Sequence, residues 1–316
     1  MKNKVLTGLL LVLIGGWGSL SAQSAGSNYS RQVNTLIGTK GVGLTSGYLY
    51  PGATYPYGME QFTPSYFSKR SGFVINQLSG GGCEHMGNFP TFPVKGKLKM
   101  SPDNILNYRI NISEEKGHAG YYEAMVQEDI KAKLTVTERT GMASYEYPTD
   151  QQYGTVIIGG GISATPIEQA AIVITAPNKC EGYAEGGNFC GLRTPYKVYF
   201  VAEFDTDALE SGTWKRNELK PNTTFAEGEY SGVYFTFDVN KKKNIQYKIG
   251  VSYVSVENAR ENLKAENTGW DFLQIQNQAE SKWNHYLGKI EVEGTNPDRT
   301  TQFYTHLYRS FIHPNV

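Results

Sequence analysis

The chain has 316 residues and equal numbers of basic and acidic side chains, 30 Lys and Arg against 30 Asp and Glu. That length accommodates about two domains at roughly 100–200 residues each. A zero formal charge, with no basic run interleaved with aromatics, argues against nucleic acid or an anionic membrane surface as a partner. The 35 glycines, 22 tyrosines and 13% aromatic content suit turn-rich antiparallel sheet, with aromatic surfaces able to stack on flat ligand faces.

At the N-terminus, Lys2 and Lys4 precede an apolar stretch from Val5 to Trp17 and then the small residues Ser19, Ser21 and Ala22. This is the pattern of a secretory signal peptide over residues 1–22, with an apolar part too short to span a bilayer. No Cys follows that stretch, so no lipid anchor is expected there; the predicted location is periplasmic or secreted, with no integral membrane segment after cleavage. An oxidising compartment permits disulfides. Of the three cysteines, Cys180 and Cys190 enclose a short glycine-rich segment and are the expected bridge, leaving Cys83 over.

From residue 23 to about 257 the chain repeats short runs of alternating apolar and polar residues between Gly, Asn, Asp and Pro. Lys133–Thr137, Ala143–Tyr147, Thr155–Ile158, Val198–Phe204, Gly232–Val239 and Ile245–Val256 read as half-buried strands. Gly159, Gly160 and Gly161 interrupt one such run and predict a bulge or a close approach of two backbones. Many short strands with no alternating helices predict a mainly β fold, a sandwich of two antiparallel sheets.

The pattern changes over residues 258–296. Asn258–Ala265 and Trp270–Leu287 carry helical spacing, followed by a strand-like Lys289–Glu293 and a turn over Gly294–Pro297. Pro297 is placed to open a last helix, because its missing N–H has no partner at that position in any case. On that helix, within residues 297–316, Phe303, Leu307 and Phe311 recur every fourth residue, with Tyr304 and Tyr308 beside them. Such a stripe needs a neighbour, so the ending reads as the first element of a further helical domain.

Chemistry concentrates between Leu78 and Pro93, LSGGGCEHMGNFPTFP, where three glycines precede Cys83, Glu84, His85 and Asn88. Glycines there let backbone approach a ligand or another segment. Zinc would require a second ligand pair, and a phosphate loop would require a following Lys-Ser or Lys-Thr. A Cys-His nucleophilic pair would need a third group to orient the imidazole. Two readings stay open: a rigid turn with incidental polar residues, or a loop hydrogen-bonding a sugar. Tyr48–Pro64, rich in aromatics and prolines, predicts an exposed loop in which Tyr55 and Tyr57 line a cleft or pack against Pro51 and Pro56. Gly182–Gly191 reads as a third such loop. The carboxylate pairs Glu114 with Glu115 and Asp205 with Asp207 read as solvated surface rather than catalytic groups.

Six blocks occur in one order: VNTLIGTKGVG (Val33–Gly43), YPGATYPYGMEQFTP (Tyr50–Pro64), the Leu78–Pro93 block, Gly120–Pro148, GGNFCG (Gly186–Gly191) and FYTHLYRSFIHPNV (Phe303–Val316). Together they resemble the N-terminal portion of glycoside hydrolase family 92, the exo-acting, calcium-dependent α-mannosidases. The resemblance implies an N-terminal β-sandwich, linker helices and the first helix of an (α/α)6 barrel whose remainder is missing. It also implies hydrolysis of terminal α-mannosides with inversion, which requires two carboxyl groups about 6.5–9.5 Å apart. In the family those carboxylates belong to the barrel, so no catalytic acid or base is expected here, and calcium ligands are expected outside this chain. Carried over to this sequence, Gly82, Cys83, Glu84, His85 and Asn88 are the expected substrate-pocket residues; Asn88 stands where the family resemblance leads one to expect Asp.

These readings make the chain the N-terminal part of an exported α-mannosidase, with mannose-containing glycans and the missing catalytic domain as partners, and inactive alone. A stand-alone carbohydrate-binding sandwich and a purely structural envelope protein are the alternatives.

Overall fold

A computed structural model of the chain describes residues 28–40, 47–65, 72–103 and 111–313. The predicted signal peptide lies outside the described residues. After a 3-10 turn at Tyr29–Gln32, the chain forms β1 (Ala53–Thr54), β2 (Gln61–Pro64), β3 (Phe73–Val74), β4 (Thr91–Lys95), β5 (Ile112–His118) and β6 (Tyr121–Val126). Then come β7 (Ile130–Val136), β8 (Thr140–Glu146), β9 (Tyr153–Gly159), β10 (Ile167–Ala176), β11 (Lys179–Phe189) and β12 (Leu192–Phe204). The last strands are β13 (Glu210–Lys215), β14 (Glu218–Pro221), β15 (Phe225–Glu227), β16 (Ser231–Asp238) and β17 (Asn244–Ser252). Three helices follow among the described residues: α1 (Val256–Glu266), α2 (Phe272–Leu287) and α3 (Pro297–Ser310).

The strands form two antiparallel sheets, one in the order β1-β2-β3-β4-β9-β16-β13-β14 and one in the order β15-β10-β11-β12-β17-β8-β7-β6-β5. Alternation explains their packing: along β6, Tyr122, Ala124 and Val126 are buried while Tyr121, Glu123 and Met125 are half-exposed. Inner-face aromatics knit the layers. Phe204 of β12 meets Phe235 and Phe237 of β16 at ring-centroid distances of 4.9 and 5.1 Å. Phe73 of β3 stacks on Tyr145 of β8 at 6.3 Å. The fold is therefore the mainly β sandwich followed by helices that the sequence pattern predicts. The triple glycine does mark a close approach: a Cβ on Gly161 would sit 2.0 Å from the Gly228 carbonyl oxygen, and Gly161 exchanges backbone hydrogen bonds with Ser231 and Tyr230.

Several local expectations are corrected. The run predicted as strand through Val256 stops at Ser252, and α1 starts at Val256 because the Ser255 hydroxyl accepts from the Asn258 N–H at 3.1 Å, an N-cap that turns the chain into a helix. Lys289–Glu293 forms no strand. Tyr48–Pro64 is not an exposed loop: Tyr50, Ala53 and Phe62 are buried, and the segment supplies β1 and β2.

That segment is where the helices dock. The Trp283 indole N–H donates to the Thr54 carbonyl at 2.7 Å, and Tyr308 and Thr54 share a hydroxyl hydrogen bond at 2.5 Å. Arg309 donates to the carbonyls of Thr35, Ile37 and Tyr50. Arg31 forms a two-bonded ion pair with the buried Glu280 of α2. The expected unpartnered stripe on α3 is thus corrected: its Tyr304 and Tyr308 side packs with Val33, Ala119, Trp283 and Leu287, and Phe303, Leu307 and Phe311 lie half-buried around that cluster. Among the described residues no helix is long and apolar enough to cross a membrane.

Candidate functional site

The glycine-cysteine loop, Gly80–Phe89, links β3 to β4 and forms no regular element. Its shape comes from left-handed backbone at Gly80, Gly82, Met86, Gly87 and Phe89, with φ of 83, 71, 43, 75 and 52°. Met86 and Phe89 adopt this region despite their side chains, strain that persists only where surroundings hold it. Gly81 is required for a different reason, since a Cβ there would lie 2.7 Å from His85 Cε1.

His85 is wholly buried beneath the loop. The Leu78 N–H donates to its Nε2 at 2.8 Å, and its Nδ1 lies 2.7 Å from the Cys83 carbonyl oxygen. A backbone donor on one nitrogen and a carbonyl on the other fix the neutral Nδ1–H tautomer. Burial pulls its pKa below the usual histidine value, opposed by the Cys83 carbonyl.

Asn88 is equally buried. Asn76 Oδ1 accepts from the N–H groups of Gly87 and Asn88 at 3.0 and 2.8 Å, so Asn76 Nδ2 must face outward as the donor to Asn88 Oδ1 at 3.0 Å. Tyr196 of β12 donates to the same oxygen at 2.7 Å. This leaves Asn88 Nδ2 without an acceptor among the described residues, a cost of about 1–3 kcal/mol for a buried donor.

The disulfide is not the expected one. Cys83 is bonded to Cys190, with 5.3 Å between Cα atoms, and Cys180 is a buried free thiol. The segment between Cys180 and Cys190 is strand β11 rather than a loop, and ten residues of extended chain separate those two by roughly 30 Å. Cys180 instead pairs in register with Ala202 and points into the core, where burial raises its thiol pKa. Closing 107 residues between Cys83 and Cys190 stabilises the fold by about 4–5 kcal/mol in the chain-entropy picture.

Of the five predicted pocket residues, Gly82 and Glu84 are exposed and Cys83 is half-exposed, while His85 and Asn88 lie inside. One loop brings all five together, but only the first three can touch a ligand directly; His85 and Asn88 shape the loop from below. Sequence reading missed Asn76, Phe189 and Tyr196. Asn76 lies two residues before the block, and Tyr196 reaches it only through the register of β11 and β12. Tyr55 and Tyr57 are placed elsewhere, against the helices: Tyr57 meets Tyr286 and Phe311 edge-on at 5.6 and 5.9 Å, and Tyr55 lines a groove of about 630 Å³ beside Asn277, Ser281 and His285.

Neither carboxylate pair forms a catalytic arrangement. Glu115 accepts from Tyr122 at 2.9 Å and Glu114 is exposed. Asp205 accepts from the Gln246 N–H and pairs with Lys242 at 2.7 Å, tying β12 to β17. No group of three or more His, Cys, Asp or Glu side chains that could hold a metal occurs among the described residues. Among the described residues, therefore, no carboxylate cluster fits the calcium that the resemblance implies.

Comparison with known proteins places this geometry. A protein from Arthroderma benhamiae described as an uncharacterized secreted glycosidase is 26% identical, covering 90% of this chain and 41% of its own length. The structure of a GH92 α-mannosidase from Bacteroides thetaiotaomicron superimposes with a TM-score of 0.79 at 24% identity, over 92% of this chain and 42% of that one. A GH92 inverting mannosidase from the same organism matches with a TM-score of 0.79 at 25% identity, over 91% and 40%. The chain thus spans about two fifths of the relatives it matches. The profile of the glycosyl hydrolase family 92 N-terminal domain covers residues 32–252, and that of the family 92 catalytic domain covers 258–316. On that match, which takes in the sandwich, all three helices and the loop just described, the chain belongs to glycosyl hydrolase family 92.

Proposed function

We propose that this chain is the sandwich and opening helices of an exported α-mannosidase that removes terminal α-mannosyl units from glycans with inversion of configuration. The observation that carries the reading is the pair of adjoining family matches, one for the N-terminal domain and one for the start of the catalytic domain. The buried polar docking of α2 and α3 onto the sandwich supports it, since the two parts form one body rather than a free module and a tail.

In this reading Gly82, Cys83 and Glu84 face the terminal sugar, and backbone and carboxylate oxygens there accept from its hydroxyls. His85 and Asn88 hold that surface in shape. The general acid, the general base and the calcium ligands belong to barrel segments outside these residues. The 316 residues alone therefore bind α-mannosides without cleaving them.

Two measurements on the purified chain test this: hydrolysis of an aryl α-mannoside, and calorimetric titration with α-mannobiose. No hydrolysis together with saturable binding is expected. Turnover would overturn the placement of the acid and base, and absence of binding would remove the loop from the substrate site. Binding by the isolated chain is also what a stand-alone carbohydrate module would give; the catalytic-domain match over 258–316 favours the enzyme.

A further inference from the structure

The β11–β12 hairpin is longer than the sheet that supports it. Its two strands pair outward to Asn188–Arg193 and Phe189–Leu192. The neighbouring strand β10 follows β11 only to Gly186, and β17 leaves β12 at Tyr199. The tip therefore overhangs, with Asn188, Gly191, Leu192 and Arg193 exposed. Two contacts join it to the glycine-cysteine loop: the Cys83–Cys190 bond, and Phe189, whose ring lies 5.2 Å from that of His85.

The loop itself is anchored firmly at its two ends. Gly80 N–H donates to the Tyr48 carbonyl, the Met86 carbonyl accepts from Ala164 N–H, and Asn76 holds Gly87 and Asn88. Between those anchors stand Gly81, Gly82, Cys83 and Glu84. Cys83 is tied to the rest of the fold by the His85 bridge from Leu78 and by the disulfide. Glycines on both sides of the crown, in left-handed backbone at 80 and 87, give it alternative paths that a bulkier sequence would not have.

We propose that the Cys83–Cys190 disulfide is the positioning bond of the sugar-facing loop: it fastens the loop to the hairpin tip, keeps His85 in its Leu78–Cys83 bridge, and thereby sets where Gly82 and Glu84 meet the ligand. The sugar-facing part of this inference rests on the function proposed above; the positioning of His85 does not. Cys83 and Cys190 are positioning residues, because the sulfur atoms act through the loop and not on the substrate.

The test has two readouts on the chain, each taken oxidised, after reduction with a phosphine, and after reoxidation, with Cys190→Ser as a permanently open variant. The first is the imidazole spectrum of His85 from long-range nitrogen-proton correlations at about pH 7.5, where histidine is mainly neutral. Oxidised protein is expected to show a single Nδ1–H tautomer, and the reduced protein a mixture with Nε2–H. The second is the affinity for α-mannobiose, expected to weaken on the order of tenfold, as for one lost well-placed hydrogen bond, and to return on reoxidation.

An unchanged His85 spectrum after confirmed reduction overturns the proposal, whatever happens to binding. Loss of the sheet signal in circular dichroism on reduction, or in the Ser variant with the reduced protein behaving alike, also overturns it, since the bond would then be a global staple. If the oxidised chain shows no affinity for mannobiose, the substrate reading fails while the His85 spectrum still decides the positioning.

Discussion

Glu60 offers a demanding test of the fold. Its side chain is wholly buried, and both carboxyl oxygens lack a hydrogen-bond partner among the described residues. It sits beside Gly141, where a Cβ would come within 2.7 Å of its Oε2. Burial, with the Glu266 carboxylate adding to it, raises the Glu60 pKa well above the ordinary carboxyl value. The folded chain thus keeps a proton that the unfolded chain releases. Its contribution to stability is fully present below the unfolded pKa and is lost as pH rises toward the folded one. In that window each pH unit lowers unfolding free energy by about 1.4 kcal/mol relative to a chain without the group. Glu60→Gln keeps the shape and removes the proton equilibrium. Urea unfolding of both proteins at several pH values above 5 measures the difference, in which every other titrating group cancels. The stability of the wild type relative to the variant is expected to fall by about 1.4 kcal/mol per pH unit. Parallel stability curves would refute the burial of an unpaired carboxyl at this position.

Three other outcomes follow from the same geometry. Trp283→Ala removes a buried ring that packs 4.5 Å from Tyr308 and donates to Thr54, and is expected to cost about 3–5 kcal/mol in denaturant unfolding; a cost under about 1 kcal/mol would mean that the helices do not dock through it. His85 and His118 both have pKa values lowered chiefly by burial, so they contribute stability that is fully present above the unfolded histidine value and is lost as pH falls from it through the folded one. The double variant with Gln at both positions should flatten the acid side of the stability profile, and an unchanged slope there would count against both burials. Peptide mapping of native protein should recover Cys83 linked to Cys190 and find Cys180 alkylated only after denaturation; a peptide linking Cys180 would refute the strand register of β11.

Local pattern carried much of the architecture. Alternation such as that of Lys133–Thr137 marks a strand because side chains of extended backbone alternate by geometry, whatever they pack on. The Ser and Asn caps of α1 and α3 act within one turn of chain, and Pro297 opens its helix for reasons confined to its own missing N–H. The order of the six motif blocks was enough for the family. What stayed hidden depends on which elements become neighbours. Tyr48–Pro64 reads as exposed because its prolines and tyrosines resemble a loop, and it is buried because β1 and β2 join a sheet whose core takes in Ala53 and Phe62 while α2 and α3 dock on Thr54. On α3, Phe303–Leu307–Phe311 is an apolar row and Tyr304–Tyr308 an aromatic one, and a helical wheel holds no preference between them until Trp283 arrives.

The sequence by itself determined a β-rich layered chain, its change to helices near residue 257, its family, and one loop of concentrated chemistry, because these follow from spacing along the backbone or from motif order. Tertiary structure alone decided that Cys83 pairs with Cys190, that Asn76 and Tyr196 hold Asn88, and that His85 lies beneath the loop instead of on it. The disulfide and the Tyr196–Asn88 bond depend on strand register and join residues 107 and 108 positions apart. Chain entropy keeps such residues apart until the sheets have formed, so no local pattern encodes which of them will meet.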